Sequence, residues 1–515
     1  MTQESSNNAG NNKRIARNTL LLYFRMLLIM GVSLYTSRVV LAALGEVDYG
    51  IYNVVGGVVV MFTMISAPLS SSVSRFLNYE LGRGCLAQLQ KVFSTSVNIQ
   101  IIISGIVFII AETAGVWFLN SHMNIPENRM TAANWVLQCS IVTFVINLLS
   151  VPYNAAIIAH ERMNIYAYIS IIEALLKLGV VYMLVISPWE RLELYAVLLV
   201  VVALGVQSIY AIYCRRHFES CRWSRHIDRG LMREMLGFSG WSFIGATAGV
   251  LRDQGVNIVI NIFCGPVVNA ARGIAMQVNT AINSFVQNFL VALNPQITKS
   301  YATGDMKYMF SLLYRGGRFS YYLLLILSLP IIVNASFILN LWLEEVPPYT
   351  VIFVQLILLL AMSESVSLPL ITAMLATGNI RKYQIVVGSI NLLNLPVSYA
   401  VLKFGYPPQA TIVVALCSSI GCLIARLLML RSMIGLSIKN FCIKVLLNVI
   451  MVTVLTAAVP VLIAYFIGGS LMAFILTTLV GFVMSVIIIL YIGCSYQERN
   501  FILTQIRAKL PMKCR

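Results

Sequence analysis

Charge is scarce in this sequence. Only 11% of its 515 residues are Asp, Glu, Lys or Arg, while 59% are hydrophobic; an ordinary soluble domain carries about 25% charge. No polar block is long enough to make a soluble domain of its own. Acids are scarcer than bases, 19 against 36, which leaves a formal net charge of +17. The four histidines do not cluster and the ten cysteines form no CxxC pair, so neither a zinc site nor a disulfide framework is indicated. A glycine loop shaped to cradle phosphate, an HExxH pair and an acid pair with metal-ligand spacing are all missing. That argues against an enzyme and implies no cofactor and no metal.

What the chain does have is apolar runs of bilayer length, about 20 residues each, recurring nearly end to end. They are too long and too uniformly apolar for barrel strands, and backbone groups in lipid must be satisfied within each segment. The expected fold is an all-α integral membrane protein with about 14 transmembrane helices. They are predicted at 15–43, 49–73, 91–118, 132–158, 163–187, 191–214, 236–263, 268–296, 316–341, 349–376, 381–403, 408–431, 440–466 and 470–494.

The positive charge alternates with these runs. One set of loops holds "NNKRIAR", "SRFLNYELGRG", "HERM", "CRRHFESCRWSRHIDRGLMRE", "TKSYATGDMKYMFSLLYRGGR", "NIRKY" and "RSMIGLSIK", and the chain ends on "RAKLPMKCR". The opposite loops hold Arg129, Arg191 and Lys403 as their only basic residues, beside Glu46, Asp48, Glu127, Glu190, Glu193, Glu344 and Glu345. Basic loops stay cytoplasmic, so both termini are expected inside, and the charge reflects topology rather than a nucleic-acid partner. The first helix is too long, and too interrupted by polar residues, for a signal peptide.

Two stretches suggest an internal repeat. "LGEVDYGIYNVV" from Leu44 lies over "CGPVVNAARGIA" from Cys264 at an offset of 220, and "SVPYNAAIIAHERMNIYAY" from Ser150 over "SLPLITAMLATGNIRKYQI" from Ser367 at 217. The expected organisation is therefore a cytoplasmic tail at 1–14, a six-helix repeat at 15–214 and a basic linker at 215–235. A second six-helix repeat follows at 236–431, then an extra helix pair at 440–494 and a basic tail at 495–515. Six helices per half make the repeats parallel, around a central cavity.

Polar residues at membrane depth are costly, at least about 2.5 to 3.5 kcal/mol for an ionised one. Arg25, Arg38, Lys177, Arg252 and Arg272 lie there, with the acids Glu173, Asp253 and Glu364. Glu112 and Arg426 sit near predicted helix ends, where snorkelling explains them. Glu173 and Lys177 are spaced i, i+4 and either neutralise one another or serve ion coupling, as Asp253 and Glu364 also could. Arg25 shares its helical face with Asn18 and Thr36; Arg38 is a helix-end anchor unless a bend near Gly31 redirects it. The eighth helix carries a polar strip, Arg272, Asn279, Asn283 and Gln287, flanked by Thr280, Ser284 and Asn288. The second helix has a similar one in Asn53, Thr63, Ser66, Ser70 and Ser74. Such faces turn toward another helix or a watery cavity; the amide-rich strip of the eighth helix favours a cavity. In the seventh helix Ser239, Ser242 and Asn257 fall within about 40° of Asp253, whereas Arg252 lies about 100° to the other side. The acid therefore faces the cavity, and Arg252 reaches it from the rim or pairs with an acid on a neighbouring helix.

A cationic interior with amides and hydroxyls suits an anionic, hydroxyl-bearing substrate, phosphate being the natural partner of Arg. With two six-helix halves plus a pair, and "SRVVLAALGEVDYGIYNVVGGVV" followed by "SRFLNYELGRG", the chain resembles the polysaccharide transport branch of the multidrug/oligosaccharidyl-lipid/polysaccharide flippase superfamily. The resemblance implies a bacterial inner-membrane flippase that carries undecaprenyl-pyrophosphate-linked oligosaccharide, for O-antigen, capsule or exopolysaccharide, to the periplasmic leaflet by alternating access. It implies cavity arginines in the first, seventh and eighth helices, which Arg25, Arg252 and Arg272 match by helix and depth. Its partners would be the lipid-linked substrate, membrane lipids and other polysaccharide assembly proteins. The alternative within the superfamily is an ion-coupled multidrug and toxin extrusion antiporter.

Overall fold

The computed structural model describes residues 18–33, 35, 36, 39, 40, 43, 44, 48, 51, 52, 63–122, 127–224, 228–343, 346–467, 471–500 and 504. Among them, regular structure is helical throughout. Asn18–Ser33 is α1 and Thr63–Arg83 is α2. Leu86–Ile110 is α3, which passes through a π-helical turn at Ala111–Gly115 into α4, Val116–His122. Met130–Ala159, Met163–Ile186 and Arg191–His217 follow as α5, α6 and α7, and Arg229–Ala302 is α8. Then come α9 at Met306–Val333, α10 at Ala335–Trp342, α11 at Thr350–Ser365, α12 at Leu368–Ala376, α13 at Arg381–Lys403 and α14 at Ala410–Ile434. The last are α15 at Ile438–Phe441, α16 at Asn448–Ile467 and α17 at Leu471–Ile488.

Ten spans among the described residues are long and apolar enough to cross a membrane. They coincide with the predicted helices 3 to 6 and 9 to 14. The first two predicted helices are described only in part, and the next difference concerns the seventh and eighth. The sequence predicts a break around 264–267, but helical backbone is unbroken over the 74 residues of α8. Straight, such a helix would run about 111 Å, several times the hydrocarbon core of a bilayer. It cannot be straight: Ser72 of α2 donates to the carbonyl of Met235 at 3.1 Å, and Gly82 of the same short helix packs on Ala302. The run doubles back on itself, because hydropathy locates spans without reporting whether the backbone between them leaves helical geometry. For the same reason α2 and α9 extend beyond their apolar runs, and only residues 303–305 separate α8 from α9.

Two compact units divide the chain, Met1–Thr247 with Asn294–Asp305 and Ala248–Leu293 with Met306–Arg515. In the first, small and branched residues of α5 (Ala132, Ala133, Val136, Leu137, Ile141, Leu148) make the central seam, packed by Val107, Leu184, Leu192 and Ala196. Gly82 marks a close crossing: a Cβ there would lie 2.8 Å from Ala302 Cβ and 3.0 Å from the Lys299 carbonyl oxygen. Alanine ordinarily favours a helix over glycine by about 1 kcal/mol. Gly82→Ala is nonetheless expected to lower the thermal unfolding midpoint of the purified protein, since overpacking against backbone costs about 1 to 3 kcal/mol. In the second unit Glu498, after α17, accepts from Arg318 Nη2 at 2.8 and 3.0 Å and pairs with Arg315 Nε at 3.0 Å. That cluster ties the segment after α17 to α9.

The offset of 217 expected from the sequence also separates two similar turns in the backbone. Ala159 ends α5 and Ala376 ends α12, 217 residues apart, and two residues beyond each the chain turns left-handed, at Glu161 (φ 58°) and Gly378 (φ 76°). Glycine accepts that conformation freely; glutamate does so at a cost. Glu161 is held there by the side chains of Gln296 and Lys299, which donate to its buried carboxylate at 2.6 and 2.7 Å.

Candidate functional site

Each unit contains a polar cavity. In the second unit it measures about 130 Å³ and is lined by Arg252, Asp253, Arg272, Asn279, Glu364 and Asn394, among others. Two stretches of α8 face it, around Arg252 and around Arg272, which twenty residues of straight helix would hold about 30 Å apart; the doubling back of α8 brings them together. Arg252 Nε donates to Asp253 Oδ1 at 2.9 Å, and its Nη1 to Glu364 Oε1 at 3.0 Å and Asn391 Oδ1 at 3.3 Å. The helical wheel separates Arg252 from Asp253 because it tracks Cβ directions; the long arginine side chain curls back across that arc. Glu364, on α11, supplies the second carboxylate.

Arg272 is the opposite case. It is only 8% exposed, and its Nε and Nη1 are buried without a hydrogen-bond partner among the described residues. A buried guanidinium left unsatisfied is expensive. Asn279 lines the same cavity, and Asn283 Nδ2 donates to its Oδ1 at 2.6 Å. Thr280, Ser284 and Asn288 instead bond back to carbonyls of their own helix, those of Met276, Ala281 and Ser284. Asn257 does not line this cavity.

In the first unit the cavity is larger, about 670 Å³, lined by Arg25, Thr36, Asn147, Asn154, Tyr166, Glu173, Lys177 and Tyr210 among others. Arg25 stacks its guanidinium over the Tyr166 ring, 4.5 Å from the centroid, with its Nε buried and unpartnered among the described residues. Lys177 donates to Glu173 at 2.6 Å, both at the cavity wall. Arg38 and Asn53 lie outside the described residues.

Several polar residues escape sequence reading. Glu112 is no helix-end snorkeller: it sits in the π turn, well before the helix ends at His122, and accepts from Gln138 Nε2 at 2.7 Å. Asn391 and Asn394 of α13 join the second cavity and its ion pair; their signal was two amides at i, i+3 inside the apolar run "INLLNLP". No group of three or more His, Cys, Asp or Glu that could hold a metal occurs among the described residues.

These features define a multi-pass membrane protein with a polar, arginine-bearing cavity in each of its two helical units. Residues 15–301 match the family described as "Polysaccharide biosynthesis protein", more than half of the chain, and the chain belongs to that family. The chain is 21% identical over 285 residues to an uncharacterized membrane protein of Bacillus subtilis (strain 168), EpsK. That match spans 55% of this chain and 56% of that protein, a little over half of each. The fold is that of solved MATE and MOP superfamily transporters. A MATE protein in the straight conformation aligns with a TM-score of 0.71 at 11% identity, over 83% of this chain and 97% of its own. The MATE transporter ClbM in complex with Rb+ aligns at 0.69 and 13% identity, over 84% and 97%. A MOP superfamily transporter from Pyrococcus furiosus aligns at 0.68 and 11% identity, over 82% and 95%.

Proposed function

We propose that this protein is an inner-membrane flippase that carries a polyprenyl-pyrophosphate-linked oligosaccharide from the cytoplasmic to the periplasmic leaflet, with both termini cytoplasmic. The observation that carries the reading is Arg272, buried at a polar cavity with its Nε and Nη1 unpartnered among the described residues. Phosphate oxygens are the acceptors an arginine fork suits best. Arg25 lines the separate cavity of the other unit, beside amides and phenols that a glycan can hydrogen-bond. Family membership in polysaccharide biosynthesis supports the same substrate class.

An ion-coupled drug antiporter would draw on Glu173, Asp253 and Glu364. Each of those acids has a basic partner, Lys177 or Arg252, which favours the flippase over it. The deciding experiment deletes the gene and locates the lipid-linked intermediates. Accumulation in the cytoplasmic leaflet, reversed by the restored gene, is the expected result. Normal surface glycans with increased drug susceptibility would establish the antiporter instead.

A further inference from the structure

A second cavity in the C-terminal unit has the opposite chemistry to the first. It measures about 320 Å³, and of its lining residues only Gln277, itself exposed, and Trp342, through its indole N–H, carry a polar side-chain group. Val278, Ala281 and Ile282 of α8, Ile338 and Leu339 of α10 and Trp342 make most of its wall. Its position relative to the Arg272 cavity is set by two shared helices. On α8 the polar cavity takes Arg272, Met276 and Asn279, and the apolar one takes Gln277, Val278, Ala281 and Ile282. At about 100° per residue the two sets point roughly 160° apart, so the cavities flank one helix. On α11 Val354 lines the apolar cavity while Ile357, Leu360, Ala361 and Glu364 line the polar one. Ile357 lies one turn beyond Val354, at i+3, so the two cavities are neighbours along α11.

We infer that the apolar cavity is the seat of the isoprenoid chain of the same lipid-linked substrate whose phosphate Arg272 holds. This rests on the proposed flippase reading. One molecule that ends in an anion and continues as a hydrocarbon satisfies both cavities at once, its chain leaving the Arg272 cavity past Ile357 toward Val354. The chain then lies against α8 and α10 instead of in bulk lipid, and burial against fixed, close-packed side chains supplies affinity through dispersion contacts that loosely packed acyl tails give less well.

The test uses the full-length protein in phospholipid nanodiscs and two probes, inorganic pyrophosphate and geranylgeranyl diphosphate. Wild type is expected to bind the prenylated probe at least about tenfold more tightly than pyrophosphate. Ala281→Trp, which fills the cavity, should reduce that ratio to about one and leave the pyrophosphate affinity as it was. Arg272→Ala should weaken both probes. Should Ala281→Trp perturb folding, Trp342 reports directly: the prenylated probe alone should shift the tryptophan emission, and Trp342→Phe should abolish the shift. A ratio near one in wild type, or a ratio untouched by Ala281→Trp, overturns the inference and means that ordinary phospholipid chains fill the cavity; the phosphate reading survives that result. No binding of either probe overturns both.

Discussion

Arg272→Ala is expected to abolish most surface-glycan export while leaving the protein as stable as wild type or more so. Each charge-assisted hydrogen bond to an ionised ligand is worth about 1.5 to 3 kcal/mol, so losing even one should weaken phosphate binding by about tenfold to a hundredfold. Stability goes the other way because Nε and Nη1 of Arg272 bond to nothing among the described residues. Removing an unsatisfied buried cation relieves a cost, the trade of stability for function found at binding sites. Arg252→Ala provides the contrast. Arg252 pairs with Asp253 and Glu364 at 2.9 and 3.0 Å, so its loss takes the paired cation from both carboxylates and should lower the unfolding midpoint. Export assays paired with thermal unfolding in detergent separate the two. Equal destabilisation by both variants, or normal export by Arg272→Ala, would refute the assignment of Arg272 as the substrate-facing residue.

Lys299→Ala is expected to cost about 3 to 5 kcal/mol, the usual penalty for removing one partner of a buried ion pair. Glu161 is almost fully buried and accepts from Lys299 at 2.7 Å, while Lys299 also caps the carbonyl of Ala159 at 2.5 Å. The sharper prediction is the rescue. Adding Glu161→Gly to Lys299→Ala removes the carboxylate that has lost its cation and the left-handed strain together, about 1 to 2 kcal/mol for the strain alone. Glycine itself occupies the left-handed position two residues past the end of α12, at Gly378, and adopts that conformation freely. The double variant should therefore unfold at a higher temperature than Lys299→Ala by itself. Additive losses would mean that Glu161 contributes through contacts other than its pair.

Ten of the predicted spans were legible because lipid exposure demands long apolar runs, and α6 and α13 begin within a residue of the predicted starts. The doubling of α8 was legible as two spans but not as one helical run. Of the site, Arg272 and Asn279 declared themselves by periodicity on one helix, since polar residues that recur at helical spacing must share a face. Glu364 as the partner of Arg252 did not, being 112 residues away.

Composition and spacing within single segments were enough for the solvent this protein lives in, its helical build and the candidate cations. Packing between helices was needed to learn which arginine is paired and which has unpartnered donors among the described residues, and that an apolar cavity lies along α11 from the polar one. Those are relations between helices far apart in the chain, and intervals along a sequence do not specify which helices pack together or where a long side chain will reach.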